Sequence, residues 1–83
     1  MKVIPDVSVV ITNYNYEKYI ARCIRSCLSQ RYTNVEVIVV DDCSTDSSLK
    51  EIETFKDHIR LIKNKKNVGV AAASNLGIKA AKA

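Results

Sequence analysis

Val35-Glu36-Val37-Ile38-Val39-Val40-Asp41-Asp42-Cys43-Ser44-Thr45-Asp46-Ser47-Ser48 is an apolar run that ends abruptly in two carboxylates and a hydroxyl-rich turn. Four consecutive β-branched residues, Val37 to Val40, leave no polar face. A strand of that kind needs cover on both sides, which a parallel sheet between helices supplies. Asp41 and Asp42 then fall at the carboxyl end of the strand, where ligands bind in open α/β sheets. Asp and Ser in such a turn also shape the chain and cap helices, and Asp46 or Ser44 is placed to cap the helix that follows.

Upstream, Val7 to Thr12 is a second short strand rich in β-branched residues, and Pro5 suits its entrance. Asn15 is placed to cap a helix in which Tyr16, Tyr19, Ile20, Cys23, Ile24, Cys27 and Leu28 recur at helical spacing. Glu17, Lys18, Arg22, Arg25 and Ser29 occupy the other face, and the period is lost over Gln30 to Asn34. Strand, helix, strand in this length is a βαβ unit with a right-handed crossover. Downstream, Leu49, Ile52 and Phe55 mark a second helix, Ile59 to Ile62 a third strand, and Ala71 to Ala81 an alanine-rich third helix behind Gly69.

The expected fold is therefore α/β: a three-stranded parallel sheet in the order third, second, first, with helices on both faces. It is half of a doubly wound, Rossmann-like arrangement. The 83 residues make one partial domain with a thin core. The first strand would have no outer neighbour, and its apolar edge carries neither proline nor charge. Such an edge invites a homodimer through antiparallel pairing of first strands.

Apolar residues at 47% and charged residues at 27% are ordinary for a soluble globular chain. The net charge of +4 comes without interleaved aromatics or a nucleic-acid motif, so no nucleic-acid partner is expected. Cys23, Cys27 and Cys43 form no C-x-x-C pair, which points to a reducing compartment, and Cys23 and Cys27, one helical turn apart, read as small buried hydrophobes and not as a metal clamp. The cytoplasm is the default location, with the inner face of the membrane left open. Met1 to Asp6 has no apolar core of a signal peptide, and no run approaches the ~20 apolar residues of a membrane span.

Neither G-x-G-x-x-G nor G-x-x-x-x-G-K-[ST] occurs, and the only glycines are Gly69 and Gly77. The site is acidic rather than glycine-rich, and carboxylates repel phosphate. Their partners are N–H or O–H donors, such as a pyrimidine imide or ribose hydroxyls, or a divalent cation.

Taken together, Val7-Ser8-Val9-Val10-Ile11-Thr12-Asn13-Tyr14-Asn15, Tyr19-Ile20, Ser26-Cys27-Leu28-Ser29-Gln30, the run from Val35 to Asp46, Asn67-Val68-Gly69 and Asn75-Leu76-Gly77-Ile78 resemble the amino-terminal half of the nucleotide-binding region of family 2 glycosyltransferases with the GT-A fold. The blocks stand in family order at family spacing over essentially the whole chain. The resemblance implies a site for a nucleotide-sugar donor, most often a uridine diphosphate sugar. Thr12 and Tyr14 would line the base pocket, Asp42 would accept from the base imide, and Asp41 would support the ribose side or the loop. Asn67 and Gly69 would form the loop beside ribose and diphosphate. The acceptor, saccharide or lipid-linked, is left open.

Departures from the family pattern are Thr12 in place of the usual proline, Cys43 in place of glycine, and Ser74 where many members carry arginine. Lys65 or Lys66 could substitute for that arginine or simply be solvated. The family's D-x-D motif, which holds Mg²⁺ or Mn²⁺ against the diphosphate, and its catalytic base would follow Ala83. No catalytic or metal-ligating residue is therefore expected within the chain, and residues 1 to 83 alone are expected to be inactive. Two other readings stay open at this point: a non-catalytic nucleotide- or metal-binding module resembling a receiver domain, and an interaction fragment with no chemistry in its acidic turn.

Overall fold

A computed structural model of the chain describes residues 4–29 and 34–83. Six elements alternate: β1 (Val7–Asn13), α1 (Ile20–Leu28), β2 (Val35–Asp41), α2 (Ser48–Glu53), β3 (Arg60–Lys63) and α3 (Val70–Ala80). The strands form one parallel sheet in the order β1-β2-β3, as expected from the sequence. Val7 to Asn13 pair in step with Val35 to Asp41, and Ile38 to Asp41 with Arg60 to Lys63. The matched register brings the carboxyl ends of all three strands level. Three loops therefore open at the same edge.

Successive residues of a strand point to opposite faces, and the core divides accordingly. Ile11, Val37 and Val39 pack with Ile20 and Ile24 of α1 and Ile52 of α2 on one face. Ile38 and Val40 pack with Ala73 of α3 on the other. Val37 to Val40 are each at most 2% exposed, which is the two-sided burial that their composition requires. The alanine-rich character of α3 has a steric reason. A Cβ at Gly77 would collide with the Val10 side chain, so this helix lies against β1 closer than a larger residue would allow.

The first helix starts later than its periodicity suggests. Asn15 is not its cap: it adopts φ 57°, and α1 begins at Ile20 after a turn in which Tyr16 accepts from the N–H groups of Tyr19 and Ile20. Tyr16 and Tyr19 are consequently exposed, and so is Cys23, which is not the buried hydrophobe expected; Cys27 is half-buried. A nine-residue helix laid on a sheet buries only the residues that face it, here Ile20 and Ile24. Of the expected end of that unit, Gln30 to Thr33 lie outside the described residues. Neither Asp46 nor Ser44 is the N-cap of α2: that position is Ser47, which makes no side-chain cap bond, while Asp46, one residue earlier, accepts the Ser48 N–H through Oδ1 at 2.8 Å.

The amino end of the sheet is closed by Glu36. Its carboxylate accepts the Ser8 hydroxyl at 2.7 Å, the Lys82 N–H at 2.9 Å and the Arg60 Nη1 at 3.5 Å. Arg60 also donates to the Ala80 carbonyl at 2.6 Å, tying the last turn of α3 to the sheet. The Lys82 N–H, the Ser8 hydroxyl and Arg60 hold the Glu36 carboxyl below its ordinary range.

Candidate functional site

At the carboxyl end of the sheet, the β1–α1, β2–α2 and β3–α3 loops enclose a cavity of about 300 Å³. Thr12 and Tyr14 border it from the first loop, Asp42 from the second, and Asn67 and Gly69 from the third. Five of the six residues singled out in the sequence thus meet at one place; Asp41 is the exception.

Asp41 and Asp42 are adjacent and both buried, at 1% and 3% exposure, yet they serve different loops. Asp41 ends β2 and turns toward β1. Its Oδ1 accepts the Asn13 amide at 2.9 Å and the Ser44 hydroxyl at 2.7 Å, and its Oδ2 accepts the Ser44 N–H at 3.0 Å. Asp42, one residue on, turns the other way. Its Oδ1 accepts the Asn64 amide at 3.0 Å and the Val68 N–H at 2.9 Å, and its Oδ2 accepts the Gly69 N–H at 2.9 Å. The Val68 N–H and the Asn64 amide, with help from Gly69, outweigh the opposing effect of burial and hold the Asp42 carboxyl below its ordinary range. Asp42 is thus anionic at neutral pH, and Oδ2, with one protein donor, keeps capacity for another.

Gly69 shapes the third loop. Its φ of 89° with ψ of 159° is a conformation that side-chain-bearing residues avoid, and it aims the N–H at both Asp42 and the Asn67 Oδ1, 3.1 Å away. Cys43 adopts φ 65° in the second loop, which gives a physical reason for the glycine more usual in the resembled pattern. Its thiol donates to the Lys65 carbonyl at 3.5 Å. Lys65 and Lys66 are exposed and do not border the cavity, whereas Ser74 is half-buried on α3.

Several contributors were not singled out in the sequence. Asn13, 1% exposed, borders the cavity; its amide donates to Asp41 and Ser44, and its Oδ1 is buried without a protein partner. Asn64 fixes Asp42. Tyr16, Val70 and Ala73 complete the lining. A polar residue ending a strand in register with Asp41 was the only signal available for Asn13; nothing local marks Asn64.

A divalent cation does not fit these residues. Three N–H donors already face the Asp42 carboxylate, a cation would have to displace them, and Asp41 is engaged with the β1 side. Among the described residues no group of three His, Cys, Asp or Glu side chains could hold a metal ion. No described helix is long and apolar enough to cross a membrane.

Comparison with known proteins places this geometry in context. The family model for glycosyl transferase family 2 matches residues 8–83. An uncharacterized glycosyltransferase of Haemophilus influenzae is 43% identical over 77 residues, which cover 89% of this chain and 24% of that protein. Chondroitin synthase of Escherichia coli is 42% identical over 82 residues, 95% of this chain and 12% of that one. Among solved structures, residues 1–349 of S. aureus TarS in complex with UDP-GlcNAc superpose with a TM-score of 0.82 at 34% identity, over 90% of this chain and 23% of that one. The mannosyltransferase PcManGT of Pyrobaculum calidifontis, in complex with GDP-Man and Mn²⁺, gives a TM-score of 0.81 at 29% identity, over 96% and 25%. The chain therefore spans a quarter or less of each of these proteins.

Proposed function

The chain belongs to glycosyltransferase family 2, and on that premise we propose that it forms the nucleoside-binding part of the donor site in an enzyme that transfers a sugar from a uridine diphosphate sugar to an acceptor. The observation that carries this reading is the convergence of Thr12, Tyr14, Asp42, Asn67 and Gly69 on one cavity around a fixed carboxylate. Tyr14, 43% exposed at the rim, offers a ring face to a base. Asp42 Oδ2 accepts from a ring N–H, which uracil and guanine carry and cytosine and adenine do not. A volume of about 300 Å³ favours the smaller of those rings. Asn67 and Gly69 stand on the side of the sugar and diphosphate. Asp41 supports the site through the loop.

Family membership removes the receiver-like reading that the paired acids left open. Mg²⁺ or Mn²⁺ is assigned to the complete enzyme and not to these residues, whose donor set does not suit it. Transfer needs the charge of the leaving diphosphate to be neutralised, so residues 1 to 83 bind the nucleoside and do not turn over. Calorimetric titration with UDP, GDP and CDP, each with and without Mg²⁺, tests the reading. Weak binding of UDP that excess chelator leaves unchanged is expected, with GDP weaker and CDP weakest. Absence of binding by all three overturns it, and metal-stimulated release of labelled sugar by the chain overturns the assignment of inactivity. Pairing of β1 edges between two copies is a further part of the proposal, because β1 has β2 on one side only among the described strands. A strict monomer in sedimentation at high micromolar concentration removes that part.

A further inference from the structure

Tyr14 lines the cavity and is nearly half exposed as a residue, so packing does little to fix it, and its position depends on the residues on either side. Both are tied to the β2–α2 loop. The Asn13 amide and the Asn15 N–H converge on the Ser44 hydroxyl oxygen, at 3.1 and 3.0 Å. That hydroxyl in turn donates to Asp41 at 2.7 Å, which uses its one proton and both of its acceptor sites. Asn15 then reaches across: its Oδ1 accepts the Thr45 N–H at 2.8 Å and the Asp46 N–H at 3.2 Å. Those two N–H groups belong to a turn about thirty residues away in sequence. Asn15 makes these side-chain contacts from a left-handed backbone, φ 57°, a conformation that asparagine is among the few residues to adopt readily.

From this geometry we propose that Asn15, acting through Ser44 and the β2–α2 turn, is the positioning residue that holds Tyr14 over the cavity, so that the rim of the nucleoside site is ordered before the ligand arrives. The proposal rests on the nucleoside-site reading. Asn15 itself does not border the cavity and contributes no contact to a ligand there. Its role is to remove an ordering cost from binding: a loop already fixed loses less conformational freedom when a base settles against it.

Three substitutions separate backbone conformation from the staple. Asn15→Gly permits the left-handed backbone and loses the acceptor; Asn15→Asp tolerates that backbone and keeps the acceptor; Asn15→Ala disfavours the backbone and loses the acceptor. The first measurement needs no ligand. Amide hydrogen exchange and backbone order parameters by NMR are expected to show the Thr45 and Asp46 N–H groups deprotected and Tyr14 more mobile in Asn15→Gly, with both restored in Asn15→Asp and the β2 core amides unchanged. Unchanged Tyr14 order in Asn15→Gly overturns the proposal. The second measurement is UDP titration. Asn15→Gly is expected to weaken binding about tenfold, the loss that follows from ordering roughly one residue on binding, Asn15→Asp to recover it, and Tyr14→Ala to make the Asn15→Gly loss disappear in the double variant. Full affinity in Asn15→Gly overturns the positioning role and leaves the nucleoside site standing. Wild-type protein that binds no nucleotide, with Tyr14 still loosened by Asn15→Gly, overturns the nucleoside site and leaves the staple standing.

Discussion

Glu36 at the amino end of the sheet and Asp42 at its carboxyl end do the same mechanical work with different surroundings. Each carboxylate gathers three donors from distant parts of the chain: Ser8, Arg60 and Lys82 for Glu36; Asn64, Val68 and Gly69 for Asp42. Glu36 has a cation among its partners and borders none of the cavities described. Asp42 has no cation, is satisfied by neutral N–H groups alone, and faces a cavity. Glu36 is held mainly by the Ser8 hydroxyl and the Lys82 N–H, with Arg60 only at 3.5 Å, and it faces none of those cavities. Asp42, held by amides at a cavity wall, keeps its negative charge and an unused lone pair where a ligand can reach them. The difference between the two ends is thus a difference between a clamp and a clamp that can also bind.

The largest expected break in this comparison comes from Asp42→Asn. The amide replaces one acceptor by a donor that must face an N–H of Asn64, Val68 or Gly69, so the β3–α3 loop opens as the base contact is lost. UDP affinity is expected to fall about 10- to 100-fold, the range for losing a charged acceptor, and calorimetry with the variant measures it. Glu36→Gln is the control at the other end. It is expected to lower stability in urea by about 1 kcal/mol, little of it from the Arg60 ion pair because Arg60 is 48% exposed. UDP affinity should be unchanged, and a variant that loses affinity as Asp42→Asn does would erase the distinction between the ends.

Acid sharpens the comparison. Both carboxyls are held below their ordinary ranges when folded. Their contributions to stability are therefore fully present above the unfolded values, about pH 4, and are lost as pH falls through the depressed folded values. Urea unfolding at pH 7, 5 and 3 should show a plateau between the first two and a drop at the third, with the Val68 and Gly69 amides and the Lys82 amide reporting each end separately by hydrogen exchange. The smallest effect is expected at Cys43, whose φ of 65° strains a side-chain-bearing residue. Cys43→Gly should relieve about 1 kcal/mol of that strain, offset in part by the greater freedom of glycine when unfolded. A fall in melting temperature would show that the thiol bond to the Lys65 carbonyl matters more than the strain.

Much of this arrangement was legible in the residues. The strand-helix alternation follows from unbroken apolar runs and helical spacing and the sheet order from doubly wound topology; Thr12, Tyr14, Asp42, Asn67 and Gly69 were marked by the family resemblance, and the structure brings those five to one cavity. The reading of Asn15 as a helix cap failed because its partners, Thr45 and Asp46, lie across the sheet edge and not in the helix that follows. Tyr16 and Tyr19 continue the apolar spacing of α1 but precede its first helical residue, so the period extends farther than the buried face. Asn64 carries no local mark at all, since its use depends on where β3 delivers it.

The sequence by itself determined the architecture, because burial on both faces is written into Val37 to Val40 and into the alternation around them, and such patterns need only neighbouring residues to be read. The resemblance set Asp42 at the base and left Asp41 between the ribose side and the loop; tertiary structure decided that Asp41 is closed off from the cavity. Asp41 and Asp42 have the same chemistry and differ by one step along the chain, but Asp41 is the last residue of β2 and Asp42 the first of the loop beyond it. One carboxylate met Asn13 and Ser44 and was closed; the other met the N–H groups of Val68 and Gly69 at the cavity wall. Those partners are brought together by pairing β2 with a strand on each side, and no property of residues 41 and 42 specifies it.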